Sequence, residues 1–309
     1  MKQSAKQGPD IDCLGLGIIP VDFLYTVEKY PDVEQKVDAI DFRMQGGGPV
    51  GTAMIGLARL GRKTAMIAAV GDDLMGRLSI DELRAAKVSH RFMITKKRPS
   101  ACASGFIEAN SGRRTMVLSR SITVRPSDLT LVSYPIPAVV HLDGRDMPAT
   151  MKMARWARRV GAIVSFDIGS IRNDVTDVLP LVDHLVVADA YAFPYTGRKT
   201  ARQAIESLAQ ICPGSIVITE GIKGSTGWEK GTLVHQKAYC VDTVDTTGAG
   251  DAFHAGYLFG LLNRCEMCER LRLGAGVAAL NCTRLGARSG LPTRRQLSRF
   301  LNDSLVTYD

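Results

Sequence analysis

No apolar run in the 309-residue chain reaches the roughly 18 residues needed to cross a bilayer. The first ten residues are polar and lack the apolar centre of a secretory leader. The chain therefore reads as soluble and cytoplasmic, with no membrane partner. Aromatic residues are scarce, at 6%, and are not interleaved with the basic ones. That argues against a stacking surface for single strands, and no nucleic-acid partner is expected. The net charge of +8 is scattered, with small clusters at 96–98, 155–159 and 294–295; it reads as solvated faces with some pull on small anions. The seven cysteines are odd in number and dispersed, and Cys265-Glu-Met-Cys268 is their only close pair. A zinc ribbon needs a second such pair, so the thiols read as reduced. His90, His141, His184 and His235 form no metal-like spacing. There is no Gly-x4-Gly-Lys-Ser/Thr stretch, which excludes a P-loop. Gly15-Leu-Gly17 begins like a dinucleotide fingerprint, but Pro20 stands where the third glycine is needed.

What is present is a large core. A hydrophobic content of 45% suffices for one α/β unit of this length. Residues 11–19 read as a buried strand, and 23–27 and 37–44 alternate like strands. Gly46-Gly-Gly-Pro49 leads into a small-residue helix over 50–60; a strand at 64–70 and an amphipathic helix at 72–86 follow. Short strands are expected at 91–95, 101–108 and 115–119, separated by turn signals such as Asn110-Ser-Gly112. Strands at 139–142, 162–166, 184–187 and 215–219 then alternate with helices at 147–160 and 200–210. A strand at 238–244 precedes helices at 250–262, 266–283 and 293–303. This alternation predicts an α/β fold, a mostly parallel central sheet covered on both faces. The segments about 20–45 and 90–120 predict a small separate β-sheet acting as a lid on a single domain, 1–309.

Residues 245–256 read Asp-Thr-Thr-Gly-Ala-Gly-Asp-Ala-Phe-His-Ala-Gly. A Gly-Ala-Gly turn at a helix start leaves N–H groups unpaired at the positive end of the helix dipole, which attracts a phosphate. Asp251, in the first turn, stands where that anion would lie. One carboxylate beside a phosphate cradle points to phosphoryl transfer with Asp251 as base, aided by the amides of Gly248, Ala249 and Gly250. The plain alternative is a tight turn with an acidic cap.

The twelve-residue run resembles the C-terminal signature of the ribokinase, or PfkB, family of carbohydrate kinases. The resemblance spans roughly residues 11–303. The stretch 46–61 looks like the family's glycine signature, and Val70-Gly-Asp-Asp73 with Gly76 like the segment after it. Thr219-Glu-Gly221-Ile-Lys-Gly224 is similar to its nucleotide loop, and Thr283-Arg-Leu-Gly286-Ala to its late turn. The resemblance implies a ribokinase-like three-layer sandwich and an ATP-dependent sugar kinase using Mg²⁺. It implies sugar contacts from Asp22, Gly47 and Gly48, and nucleotide contacts from Thr219, Gly221 and Gly224. It implies a K⁺ site at Asp245 and Thr247, completed by carbonyls of Asn281, Arg284 and Gly286; hydrogen bonds that merely fix the loop are the other reading of Asp245. It leaves the protein a monomer or a homodimer through the lid.

Three departures stand out. The family's sugar-holding Asn is replaced by Gly51 or Thr52. Its early Asn-x-Asp motif is Pro20-Val-Asp22. Its Asn-x-x-Glu element maps onto Ala188-Asp-Ala-Tyr191, leaving Asp189 to act in its place or the metal to rest on nucleotide and water. Gly46-Gly-Gly-Pro49, Asn281-Cys-Thr-Arg284 and Gly290-Leu-Pro292 look more like the branch containing sulfofructose kinases. Asp143-Gly-Arg145 would then face the sugar, with Arg145 gripping an anionic substituent or forming a surface ion pair. His254 reads as a packed histidine. The alternatives are a nucleoside kinase and a nucleotide-binding pseudokinase.

Overall fold

The computed structural model describes residues 10–110, 113–169 and 173–306. The N-terminal segment and the turn at Ser111 and Gly112 fall outside the described residues. In chain order the strands are β1 (Cys13–Leu16), β2 (Val21–Val27), β3 (Asp41–Gly46), β4 (Thr64–Ile67), β5 (Ala69–Gly71), β6 (Ile94–Lys96) and β7 (Cys102–Glu108). They continue with β8 (Arg114–Ser119), β9 (Val139–Leu142), β10 (Ile163–Ile168), β11 (His184–Ala188), β12 (Ser215–Thr219), β13 (Ser225–Glu229) and β14 (Thr232–Gln236). The helices are α1 (Pro49–Arg59), α2 (Leu74–Ala85), α3 (Met147–Val160), α4 (Asp189–Thr196), α5 (Ala201–Leu208), α6 (Ala249–Leu262), α7 (Met267–Cys282) and α8 (Arg294–Val306).

The main sheet has eight strands in the order β14-β13-β12-β11-β10-β9-β1-β4. Its six strands from β4 to β12 pair in parallel, and the β13–β14 hairpin adds two antiparallel strands at one edge. Parallel strands buried on both faces need continuous apolar runs, and β1, β4 and β9 are buried at every position. On one face Met153, Ala192 and Ile205, from α3, α4 and α5, close the core. On the other, Met54, Leu258, Val277 and Leu301, from α1, α6, α7 and α8, do the same. The result is the three-layer α/β sandwich. No described helix is long and apolar enough to cross a membrane.

A second sheet, β3-β2-β7-β8, is separate from the first. It pairs β2 with β7 in parallel and its outer strands antiparallel. Leu24, Val27 and Ile107 are buried, whereas Phe42 and Val117 are exposed.

Three local expectations are corrected. The strand expected at 91–95 is β6, which pairs with β5 rather than joining the second sheet. The short loop after α2 holds it there: Ile94 N donates to Ala68 O at 2.8 Å. Residues 238–244 form no strand, because the ladder ends at Gln236 and Val244 N donates instead to Cys282 O, 2.8 Å away at the end of α7. The hairpin β13–β14 and the helix α4, with Pro194 inside it, were not foreseen.

Candidate active site

The polar residues of interest collect at the carboxyl ends of the parallel strands, the usual ligand edge of an open α/β sheet. Asp143 follows β9, Asp167 lies near the end of β10, Asp189 follows β11, and Thr219 ends β12. Helix α6 runs back from this edge. It is apolar around its circumference and buried from Ala252 to Gly260, so packing fixes where its first turn stands.

Gly248 caps α6 at φ +72°, and a Cβ there would meet Ala287 O at 2.7 Å. Only glycine combines that left-handed backbone with so close an approach. The amides of Gly248 and Gly250 donate to no described residue. The amide of Ala249 does: it donates to Thr246 O at 3.2 Å, closing the turn that presents the other two. The expectation that all three amides are open is corrected to two.

Asp251 is half-buried, and its carboxylate accepts no hydrogen bond from a described residue. Burial pushes its pKa up to about 7, and the charge of Asp167 adds to the rise; His254 and Arg114 oppose it. His254, one turn further along α6, is buried and lies 3.1 Å by its Nε2 from Asp167 Oδ1. Burial and the neighbouring His254 hold the His141 pKa down to about 3.

A cleft of about 110 Å³ is lined by Asp143, Gly144, Arg145, Asp167 and Asn173. Asp143 is buried and accepts from Ile18 N at 2.9 Å and Arg145 N at 3.0 Å. Burial nevertheless raises its pKa to about 6. Arg145 is half-buried. Asp22, on β2, is buried, and burial raises it to about 6 against the pull of Arg288. It presses on the glycine loop: a Cβ on Gly47 would meet Asp22 Oδ2 at 2.1 Å. Gly48 follows as the N-cap of α1. Arg288 fills the surroundings of Gly51 and Thr52. Its Nε donates to Thr52 Oγ1 at 3.1 Å, and a Cβ on Gly51 would meet its Nη2 at 2.7 Å.

A second cleft, of about 240 Å³, is lined by Thr219, Gly221, Gly224, Ala249, Gly250 and Phe253. Gly250 thus faces this cleft while its neighbour Asp251 feels the charge of Asp167 in the other. The Thr219 hydroxyl donates to Val187 O at 3.4 Å. Asp189 does not line this cleft; it accepts from Ala190 N at 2.7 Å in the first turn of α4.

Behind the α6 turn, Asp245 is fully buried. One of its oxygens accepts from Thr247 N at 2.8 Å and Thr247 Oγ1 at 2.7 Å; the other accepts from Gly286 N at 2.8 Å. Asn281 donates to Ala287 O at 3.0 Å and keeps a buried Oδ1 with no partner. Arg284 is exposed, and its amide donates to Asn281 O. Asp245 is thus held by the Thr247 hydroxyl and the Thr247 and Gly286 amides, with Asn281 tying Ala287 to the same turn.

Sequence reasoning missed Asp167, Arg288 and the meeting of His141 with His254. It judged the histidines by spacing along the chain, whereas these sit 113 positions apart and are joined only by the packing of α6 on the sheet.

Residues 10–294 match the family described as pfkB family carbohydrate kinase. The chain is 27% identical over 308 residues to the ribokinase of Haemophilus influenzae, covering 93% of this chain and 97% of that protein. It is 30% identical over 305 residues to a fructokinase of Klebsiella pneumoniae, covering 89% and 96%. An Arabidopsis thaliana ribokinase, solved with ribose and ATP, shares the fold with a TM-score of 0.81 at 20% identity, covering 96% of this chain and 99% of that one. With a match that takes in all the strands and the start of the last helix, the chain belongs to the pfkB family of carbohydrate kinases.

Proposed function

We propose that this carbohydrate kinase transfers the γ-phosphoryl group of ATP to a hydroxyl of a small sugar, with Asp251 as general base. One observation carries the reading: an unpartnered carboxylate follows Gly250, which lines one cleft, feels the charge of Asp167, which lines the other, and stands beside two open amides at the positive end of α6. The sugar lies toward Asp22, Gly47, Gly48 and Asp143, and the nucleotide along Thr219, Gly221 and Gly224. As the sugar oxygen attacks the γ-phosphorus, its proton passes to Asp251; the bond to the bridging oxygen breaks and ADP leaves. A base whose pKa is raised toward neutrality suits that transfer, since it can take the proton at working pH. The Gly248 and Gly250 amides then meet charge on the transferring oxygens.

Nucleotide and metal are supported by relatives of the fold: the Arabidopsis structure holds ATP, and another from E. coli holds ATP and Mg²⁺. Mg²⁺, when bound, neutralises phosphate charge and asks for hard oxygen donors. Asp189 offers such oxygens but does not line the nucleotide-side cleft, which favours a metal resting on nucleotide and water. A monovalent cation such as K⁺ fits behind the turn. There the buried Asp245 has only neutral donors for partners, and Asn281 Oδ1 has none. Thr247 and Gly286 contact Asp245 directly, and Arg284 is tied to Asn281 through its amide.

Arg145 beside the substrate-side cleft favours an anionic sugar such as a sulfated or sulfonated ketose over a neutral one. The test is an ADP-release assay over neutral ketoses and hexoses, ribose, nucleosides, phosphosugars and sulfosugars, with and without K⁺. Asp251→Asn lowers kcat by about 10²–10⁴ while ATP still binds. Undiminished turnover in that variant refutes the assigned base.

A further inference from the structure

His141, Asp167 and His254 come from β9, β10 and α6 and meet in the interior. Their exposures are 0%, 6% and 4%. One ligand atom from each lies within 4.8 Å of the other two. His254 Nε2 and Asp167 Oδ1 are already 3.1 Å apart, close to the spacing of neighbouring ligand atoms about a tetrahedral ion with bonds of about 2.0–2.1 Å. Each residue also keeps a buried polar atom with no partner: His141 Nε2, Asp167 Oδ2 and His254 Nδ1. Such orphans are rare in native interiors, and an ion shared with His254 Nε2 would meet the two on His141 and Asp167.

The surroundings resemble those of a metal-binding histidine. Ser165 stands opposite His141 in the β9–β10 register, and its hydroxyl lies 3.1 Å from His141 Nδ1. That contact fixes the ring and leaves Nε2 as the free donor, as outer partners of ligating histidines do. The donor set also discriminates. Two imidazoles and one carboxylate suit zinc-like ions; Mg²⁺ and Ca²⁺ prefer all-oxygen cages, and Cu⁺ prefers sulfur.

We propose that His141, His254 and Asp167 bind one divalent transition-metal ion of the zinc class, with a fourth position open toward the cleft that Asp167 lines. The ion sits one helical turn from Asp251, separate from the oxygen-lined surroundings of Asp245. The inference stands independently of the phosphoryl-transfer reading, because metal uptake is measured without turnover. The rival is a proton: a charged His254 paired with Asp167. That pairing leaves His141 Nε2 unmet, which an ion would satisfy.

The test uses the full chain, stripped with chelator, free of nucleotide, and dialysed against buffered Zn²⁺ or Co²⁺. Elemental analysis is expected to find about one ion per chain. The Co²⁺ form is expected to show the visible bands of a four-coordinate nitrogen and oxygen site without a thiolate charge-transfer band. His141→Gln and His254→Gln each lower uptake at least about tenfold, with circular dichroism confirming the fold. Cys265 and Cys268 are a competing thiol pair near the surface. The double variant Cys265→Ser/Cys268→Ser is expected to keep full uptake. The cobalt spectrum of the unaltered protein decides the matter even where a histidine variant does not fold. No stoichiometric uptake, a thiolate spectrum, or uptake unchanged in both histidine variants overturns the proposal.

Discussion

Asp251 is predicted to weaken the fold that it serves. Asp251→Asn keeps the shape of the side chain and removes its charge. Burial raises the carboxyl from 3.8 to about 7. At about 1.4 kcal/mol per pH unit, ionising it in the folded protein costs about 4 kcal/mol more than in the unfolded chain. Solvent reaching a half-buried group reduces that to about 2 kcal/mol. The sign follows from linkage: where the folded pKa lies above the unfolded one, stability is greatest at low pH and falls as pH rises. Below about 4 both states are protonated and asparagine gains nothing. Between about 4 and 7 the unfolded chain ionises first and the parent loses stability; above about 7 the loss is constant. Asp251→Asn should therefore be the more stable protein, its advantage growing by about 1–2 kcal/mol from pH 5 to pH 8. Urea unfolding at the two pH values, followed by fluorescence of the buried Trp156, measures it. The same advantage at both pH values would refute the claim that burial opposes the charge, since amide geometry does not titrate. Together with the expected loss of kcat, the gain would mark a catalytic group retained against stability.

The pH profile of sugar phosphorylation should rise from the acid side and level above about 7 as Asp251 ionises, with Asp22 and Asp143 steepening the limb near 6. An activity that falls over that range would remove Asp251 as the base. Gly47→Ala should raise the sugar KM by roughly 10-fold or more and leave the ATP KM unchanged. The added methyl would stand 2.1 Å from Asp22 Oδ2 and must displace that buried carboxylate. Steady-state kinetics with each substrate varied in turn checks this, and an equal rise in both KM values would count against it.

The sequence was most legible where function and local structure coincide. The run at 245–256 needs a glycine turn, a helix start and one carboxylate within a few residues, all of which adjacent positions can encode. Parallel strands buried on both faces announce themselves as apolar runs, so β9–β12 were found close to their observed limits. Legibility failed where hydrogen-bond partners decide. The alternating stretch 238–244 had the right period for a strand but gives an amide to the end of α7. Residues 91–95 had strand character, yet whether β5 or the second sheet received the strand depended on the path of the preceding loop.

The sequence alone thus determined the class of chemistry: its signature is local, and backbone conformation, helix polarity and one acid suffice to write it. Tertiary structure decided everything that depends on distant residues sharing a small volume. It closed the Ala249 amide, set Arg288 beneath the glycine loop, gave Asp251 its perturbed charge, and drew His141, Asp167 and His254 together. Desolvation and short-range contact act through space, and spacing along the chain carries no record of either until the helices are packed on the sheet.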